Sequence, residues 1–137
     1  MTMKNALFAI LPILALSLSM IPVQDAWSQQ KEAFTQERFE TLQGEGALIL
    51  LDVFADWCPI CAKQQDVLRA YQEEHPDVPL HILQIDFDDQ TEWVKKFKAS
   101  RQSTLILYQG TEQIWFNVAA TSREVIFEAL NEAAANL

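Results

Sequence analysis

A short apolar run that leads directly into two closely spaced cysteines constrains the fold of this chain more than any other feature. The run begins at Leu48, and the motif Cys58-Pro59-Ile60-Cys61 follows it after Trp57. Because the run is too short for most helices and is broken only by Asp52, it predicts a buried strand. Behind the motif, apolar residues recur at spacings of three, four and seven: Ile60, Val67, Leu68 and Tyr71. This spacing predicts an amphipathic helix that packs on a sheet.

The cysteines are predicted to lie at the start of that helix. Pro59 favours a helix start, since its fixed φ suits the first helical position and its missing N–H is not needed there. Cys58 would then occupy the cap, beneath unpaired backbone N–H groups and the positive end of the helix dipole. A thiolate is favoured in that place, so we expect the pKa of Cys58 to fall well below the ordinary value of about 8.5. Cys61 lies on the same side of the first turn, so the pair can form and break a disulfide.

The strand, the aspartate and the Trp-Cys-x-x-Cys motif that opens a helix resemble the thioredoxin family over most of residues 34–135. The resemblance implies that Cys58 attacks a disulfide and that Cys61 resolves the mixed disulfide. Trp57 matches the tryptophan that precedes the family's motif. Asp52 matches the buried carboxylate that assists proton transfer to and from the second cysteine. No cofactor is implied beyond the redox-active pair Cys58–Cys61.

The same resemblance implies a surface that binds an extended substrate peptide. It would include Trp57, Pro59 and Ile60 at the motif, and Ser103 and Thr104 in a later loop. The family carries a cis-proline in that loop, but this chain has Ser103 at the position. A cis peptide costs about 2.5–4 kcal/mol before a non-proline residue, against about 0.5–1 kcal/mol before proline. We therefore predict a trans bond between Gln102 and Ser103.

A second departure from the family concerns the surroundings of Asp52. Thioredoxins place a lysine on the next strand near this carboxylate, and the corresponding position in this chain is Ile82. Without a nearby cation, burial should dominate and raise the pKa of Asp52. We therefore expect a carboxyl that is largely protonated at neutral pH and that exchanges its proton with Cys61.

The rest of the pattern predicts a single α/β domain with a thioredoxin-like fold, in which helices flank a central mixed sheet. Residues 29–31 are polar and are predicted to form a loose segment, after which Thr35 caps a helix that ends at Gln43. The motif helix should run from about Pro59 to Glu74. A strand at residues 80–85 and a hairpin with strands at 104–108 and 113–118 follow. A capping box at residues 121–124 predicts the start of a last helix. The inner face of that helix is predicted to consist of Val125, Ile126, Ala129, Leu130 and Ala133.

The N-terminus is typical of a secretory signal peptide. Lys4 precedes an apolar stretch from Ala6 to Ile21, and Ala26-Trp27-Ser28 offers small residues for a signal peptidase. We predict a signal peptide at residues 1–28, a thioredoxin-like domain at residues 29–137, and a periplasmic or otherwise exported product. The alternative is a retained membrane anchor, since a stretch of about 18 apolar residues begins to span a bilayer.

Charge and cysteine content exclude several classes of function. The net charge is −9, and the basic cluster Lys95, Lys96 and Lys98 is too short to make a nucleic-acid surface. Both cysteines belong to the one motif, so the chain has no disulfide framework. A zinc site needs about four ligands, and His75 and His81 lie far along the chain, so we predict no metal site within one chain. No exposed apolar stripe indicates a dimer, and we expect a monomer.

Two functions from different classes remain at this stage. The first is an exported thiol–disulfide oxidoreductase that exchanges disulfides with protein substrates. The residues between the cysteines do not reveal the reduction potential, although we favour a reductant or isomerase that a membrane partner keeps reduced. The second is a non-catalytic thioredoxin-like chaperone that binds copper or an iron–sulfur cluster through the same cysteines.

Overall fold

The computed structural model describes residues 31–137, in which five strands form one mixed sheet with helices on both faces. In chain order the elements are β1 Lys31–Ala33, α1 Gln36–Gly44, β2 Leu48–Phe54, α2 Pro59–Glu74, β3 Leu80–Asp86, α3 Thr91–Lys96, β4 Thr104–Gln109, β5 Glu112–Val118 and α4 Arg123–Ala134. The predicted signal peptide and its cleavage point lie outside the described residues. Within residues 31–137, no helix is long and apolar enough to cross a membrane.

The sheet is built around β2, whose residues are buried up to the half-buried Phe54. Its strand order is β1-β3-β2-β4-β5. Strands β1, β3 and β2 run parallel, whereas β4 is antiparallel to β2 and β5 is antiparallel to β4. Helix α2 supplies the crossover between the parallel strands β2 and β3, as a strand–helix–strand unit requires. The carboxyl end of the central strand therefore leads straight into the cysteine motif.

Alternation along β2 divides the core into two layers. Ile49, Leu51 and Val53 point toward α1 and α3, where Phe34 and Phe39 pack among other aromatic rings. Leu48 and Leu50 point to the other face, where side chains of α2 and α4 cover them. Since side chains alternate with a period of two, Asp52 shares the face of Leu50. The one charged residue of the central strand thus lies beneath the motif helix.

Most predicted elements are confirmed, and three details are corrected. Lys31, the last residue of the predicted loose segment 29–31, instead begins β1 and pairs with Ile82 of β3. The last helix is capped by Ser122, whose hydroxyl accepts from the Val125 amide at 3.4 Å, and not by Thr121 at the first position of the predicted capping box. Val125 is 42% exposed and does not belong to the inner face of that helix. Thr35 caps α1 as predicted, accepting from the Arg38 amide at 3.1 Å.

Candidate functional site

The cysteine pair lies at the N-terminus of α2. Cys58 is the cap residue with an extended backbone, and its sulfur accepts a hydrogen bond from the Cys61 amide at 3.1 Å. The two residues form a disulfide with a Cα–Cα distance of 5.3 Å. A sulfur in this position receives an N–H group that the helix leaves unpaired, so negative charge on it is stabilised after the disulfide is reduced.

The environment of the two sulfurs is apolar. Cys58 is 3% exposed and Cys61 is 1% exposed. They cluster with Ala55, and the side chains of Phe54, Ile60 and Phe87 pack against that cluster. The Cys58 amide donates to the Ala55 carbonyl at 3.1 Å, which fixes the turn between β2 and α2. The disulfide is therefore buried among apolar side chains where β2 leads into α2.

Trp57, which precedes Cys58 in the chain, is exposed to solvent. Its side chain is 61% exposed, and its indole Nε1 donates to Asp88 Oδ2 at 2.8 Å. Asp86 Oδ1 in turn accepts from the amides of Asp88 and Asp89 at 2.8 and 2.9 Å, so the loop after β3 holds the acceptor in place. Sequence reasoning gave Asp88 no role, and its contact with Trp57 depends on tertiary structure. Of the other predicted residues at the motif, Pro59 is exposed and Ile60 is half-buried.

The Gln102–Ser103 peptide is trans, as predicted, since residues 31–137 contain no cis peptide bond. Ser103 adopts a positive φ of 61°, which L-residues other than asparagine and aspartate rarely adopt. Its amide donates to the Val53 carbonyl at 2.7 Å, and its carbonyl accepts from the Ala119 amide at 2.8 Å. A proline at this position has no N–H group and could not donate the first of these bonds. The serine thus attaches this loop directly to the central strand.

Ser103 and Thr104 are buried beside the motif. Ser103 is 2% exposed and its backbone is engaged within the protein, while Thr104 is 0% exposed and donates its hydroxyl to the Arg101 carbonyl at 2.6 Å. In the same loop, Gln102 is half-buried and Arg101 is exposed. Substrate binding by Ser103 and Thr104 stays a prediction.

Gln64, which sequence reasoning missed, joins the motif helix to two neighbouring loops. The side chain is fully buried, and its Nε2 donates to the carbonyls of Ser103 at 3.1 Å and Ala120 at 2.9 Å. Gln64 follows Cys61 by nearly one helical turn, so it holds the loops close to the cysteines. The signal in the sequence is an amide side chain on the apolar face of an amphipathic helix.

Asp52 lies beneath the motif helix and is fully buried. Its Oδ2 accepts from Gln65 Nε2 at 2.5 Å and from Gln84 Nε2 at 2.8 Å, whereas its Oδ1 has no hydrogen-bond partner in the described part of the chain. Burial raises the pKa of Asp52, because the ionised form loses its hydration. The two amide bonds and the positive charge of Lys31 act in the opposite direction. The predicted direction of the shift is confirmed.

Two details of the predicted surroundings of Asp52 are corrected. Gln84, and not Ile82, is the neighbour of Asp52 on β3, since Ile82 pairs with Leu50 two residues earlier. A cation does act on the carboxyl, but Lys31 supplies it from β1. The element that was predicted to be a loose segment therefore brings the charge that the adjacent strand lacks.

Helix α2 connects Asp52 with the cysteine pair. Gln65, which contacts the carboxyl, lies four residues after Cys61, and residues at this spacing share one face of a helix. Cys61 is thus on the face of α2 that covers Asp52, one turn nearer the N-terminus. This arrangement suits a carboxyl that exchanges a proton with the second cysteine.

Comparison with known proteins agrees with this geometry. The family model described as Thioredoxin matches residues 28–132. The chain belongs to the thioredoxin family. Among curated relatives, the thioredoxin of Chlamydia trachomatis is 28% identical over 101 residues, which are 74% of this chain and 96% of that protein. The thioredoxin of Listeria monocytogenes is 30% identical over 98 residues, or 72% of this chain and 93% of its own length.

Solved structures show the thioredoxin fold. The crystal structure of Trxlp from Edwardsiella tarda superposes with a TM-score of 0.69 at 32% identity, covering 73% of this chain and 97% of that chain. Mitochondrial thioredoxin 3 from Saccharomyces cerevisiae superposes with a TM-score of 0.65 at 15% identity, over 77% of this chain and 97% of its own. The predicted fold class is confirmed, and this thioredoxin-family chain is a thiol–disulfide oxidoreductase with a Cys-x-x-Cys pair at disulfide distance.

The described residues of this thioredoxin-like chain offer no group of three or more histidine, cysteine, aspartate or glutamate side chains that could hold a metal ion. The chemistry that the site can perform with its own side chains is the exchange of one disulfide for another. Thiol, thiolate and disulfide forms of Cys58 and Cys61, together with a proton on Asp52, are sufficient for this exchange.

Proposed function

We propose that this protein is an exported thiol–disulfide oxidoreductase that reduces or isomerises disulfides of protein substrates. The observation that carries the proposal is the hydrogen bond from the Cys61 amide to the Cys58 sulfur at the cap of α2. The same bond stabilises a thiolate when the disulfide is reduced. Attack by that thiolate is the first step of thiol–disulfide exchange.

The reaction proceeds in two displacements at sulfur. The Cys58 thiolate attacks one sulfur of the substrate disulfide, and the other substrate sulfur leaves as a thiolate that takes up a proton. Cys61 then loses its proton, its sulfur attacks Cys58 Sγ, and the first substrate sulfur leaves and is protonated. The substrate disulfide gains two electrons in total and the cysteine pair becomes a disulfide.

The ionised form of Asp52 is the base that takes the proton from Cys61 in the second displacement, and the raised pKa of Asp52 determines the pH at which this form is present. Gln65 and Gln84 both donate to its Oδ2, so the proton is received on Oδ1, which has no other hydrogen-bond partner among residues 31–137. Because burial raises the pKa of Asp52, the carboxylate is a stronger base than an exposed aspartate. Unchanged exchange kinetics in Asp52→Asn would contradict this role.

The substrate binds to the solvent-exposed residues around the disulfide. Trp57 and Pro59 offer apolar surface beside the disulfide, and Ile60 adds a half-buried side chain. In the loop that contains Ser103 and Thr104, the exposed Arg101 and the half-buried Gln102 offer contacts to the substrate, because Ser103 and Thr104 themselves are buried.

Reduction of purified residues 29–137 followed by an insulin-disulfide assay tests the proposed activity. We expect the wild-type domain to reduce insulin with a dithiol as the electron source and Cys58→Ser to be inactive. Cys61→Ser should accumulate a mixed disulfide with the substrate, since the second displacement is blocked. Activity that survives in Cys58→Ser, or a copurifying metal that is lost in that variant, would favour the copper or iron–sulfur chaperone instead.

Export and the redox partner are tested in cells. We propose that residues 1–28 direct export to the periplasm and are removed, and that a partner, which we expect in the membrane, keeps the cysteine pair reduced. N-terminal sequencing of the periplasmic product should begin at Gln29. A product that retains residues 1–28 in the membrane would contradict cleavage, and proteins trapped in vivo by Cys61→Ser would identify the substrates and the partner.

A further inference from the structure

Strand β1 places a lysine on the face of the sheet that carries Asp52. Lys31 pairs with Ile82, which pairs with Leu50 on β2. Because side chains alternate along each strand, these three residues and Asp52 project from the same face. Leu50 and Ile82 pack in the core layer that includes side chains of α2. The lysine therefore enters the space between β1 and the motif helix.

A chain of two hydrogen bonds joins this lysine to the carboxyl. Lys31 Nζ donates to Gln65 Oε1 at 3.2 Å, and Gln65 Nε2 donates to Asp52 Oδ2 at 2.5 Å. A glutamine amide can point either way, and the ammonium can accept nothing, so the lysine fixes Gln65 with its oxygen toward β1. Gln65 must then present its Nε2 to Asp52. The orientation of one donor to the carboxyl thus depends on the lysine.

We infer that Lys31 is a positioning residue for proton transfer between Cys61 and Asp52, acting through Gln65 and through its own charge. This role rests on the proposed function of Asp52 as the base for Cys61. The lysine favours the carboxylate in two ways: its field stabilises the negative charge, and its bond aligns the Gln65 amide toward Oδ2. It thereby sets the pH at which Asp52 can accept the proton.

The groups that face the Asp52 carboxyl come from α2, β1, β3 and β4. Helix α2 presents Gln65 and, one turn earlier, the Cys61 thiol, while β3 presents Gln84 and β4 places Leu105 opposite Asp52. Among the described residues, Lys31 on β1 is the charged group whose field acts on the carboxyl. An apolar substitution of Lys31 therefore removes the positive charge that opposes the effect of burial.

The test compares Lys31→Met with Lys31→Arg and with the exposed control Lys95→Met. In the reduced protein, the Asp52 carboxyl is titrated by NMR, and the pH profile of insulin reduction is recorded in parallel. We expect Lys31→Met to move both titrations to higher pH, so that the rate at a pH on the rising limb falls by about twofold or more. Lys31→Arg should lie close to the wild type because it keeps the charge, and Lys95→Met should match the wild type.

Gln65→Leu tests the path of the effect without altering β1. If the lysine acts partly through Gln65, Lys31→Met should shift the Asp52 titration less in the Gln65→Leu background than in the wild type. An Asp52 titration that Lys31→Met leaves unmoved, or a Lys31→Arg protein that behaves like Lys31→Met, would overturn the inference. The NMR titration decides this even if the wild type fails to reduce insulin, which is the outcome that would instead contradict the proposed function.

Discussion

Replacing Asp52 by asparagine should stabilise the protein at neutral pH and have little effect in acid. The side chain is fully buried, and burial raises the pKa of Asp52 above its value in the unfolded chain. A group of this kind binds its proton more tightly in the folded state. The free energy of unfolding therefore falls as the pH rises from the unfolded pKa of about 3.9 through the folded pKa. Asparagine has no charge to bury and escapes this loss.

The hydrogen bonds around Asp52 determine the pH at which the wild type and Asp52→Asn should have similar free energies of unfolding. Asparagine keeps an oxygen for Gln65 and Gln84, and it places N–H donors where Oδ1 lies. The protonated carboxyl also carries its donor at Oδ1, so the two proteins should have similar free energies of unfolding at about pH 4. Above that pH the wild type loses up to about 1.4 kcal/mol per pH unit until the folded pKa is passed. Each kcal/mol corresponds to about 4 °C in Tm for a domain of this size.

Urea unfolding of the oxidised proteins at a series of pH values measures the effect. The difference between Asp52→Asn and wild type should be near zero in acid and should increase with pH to a plateau. The exposed residue Asp77 provides the matched control, since its carboxylate stays in water in the folded protein and Asp77→Asn removes no buried charge. A difference for Asp52→Asn that is flat, or a wild type that gains stability relative to the variant as the pH rises, would refute the reasoning.

Three further predictions test other contacts of the site. Gln64→Leu removes the side-chain donor to the Ser103 and Ala120 carbonyls and should cost about 1–3 kcal/mol in urea unfolding. Gln72→Leu, on the same helix, should cost less, because the Oε1 atoms of both glutamines lack a partner but only Gln64 donates from its Nε2 among residues 31–137. Trp57→Phe and Asp88→Ala each break one hydrogen bond, so in insulin assays their effects should be less than additive in the double variant. Ser103→Gly relieves a positive φ and should raise the free energy of unfolding by up to about 1 kcal/mol, and a clear decrease would contradict this.

The sequence was sufficient for the central elements because their signals are local. The apolar run, the proline after Cys58 and the helical spacing behind it predicted β2 and the motif helix, which spans Pro59–Glu74 as expected. The trans peptide before Ser103 followed from the energy of a single bond. The raised pKa of Asp52 followed from its place in a buried strand. The first two predictions needed only one segment of chain, whereas the direction of the Asp52 shift held although the cation on β1 was not foreseen.

Apart from the cap residue and the exposed Val125 of the last helix, the errors arose where two distant segments meet. Strand β1 has only three residues and no apolar alternation, so nothing in it reveals that it pairs with β3. Gln84 was missed as the partner of Asp52 because the offset between two neighbouring strands is set by packing and cannot be read from either strand alone. Gln64 and Asp88 were missed for the same reason, since their partners are 39 or more and 31 residues away.

Titration of the Cys58 thiol in the reduced protein is the most direct test of the central claim, which is that the start of α2 activates this sulfur. The rate of alkylation by a small reagent is measured against pH in Cys61→Ser, so that a single thiol reacts. The account predicts an apparent pKa well below the value of about 8.5 for free cysteine. A value at or above that of free cysteine would contradict it, because the amide and dipole at the helix cap would then provide no stabilisation of the thiolate.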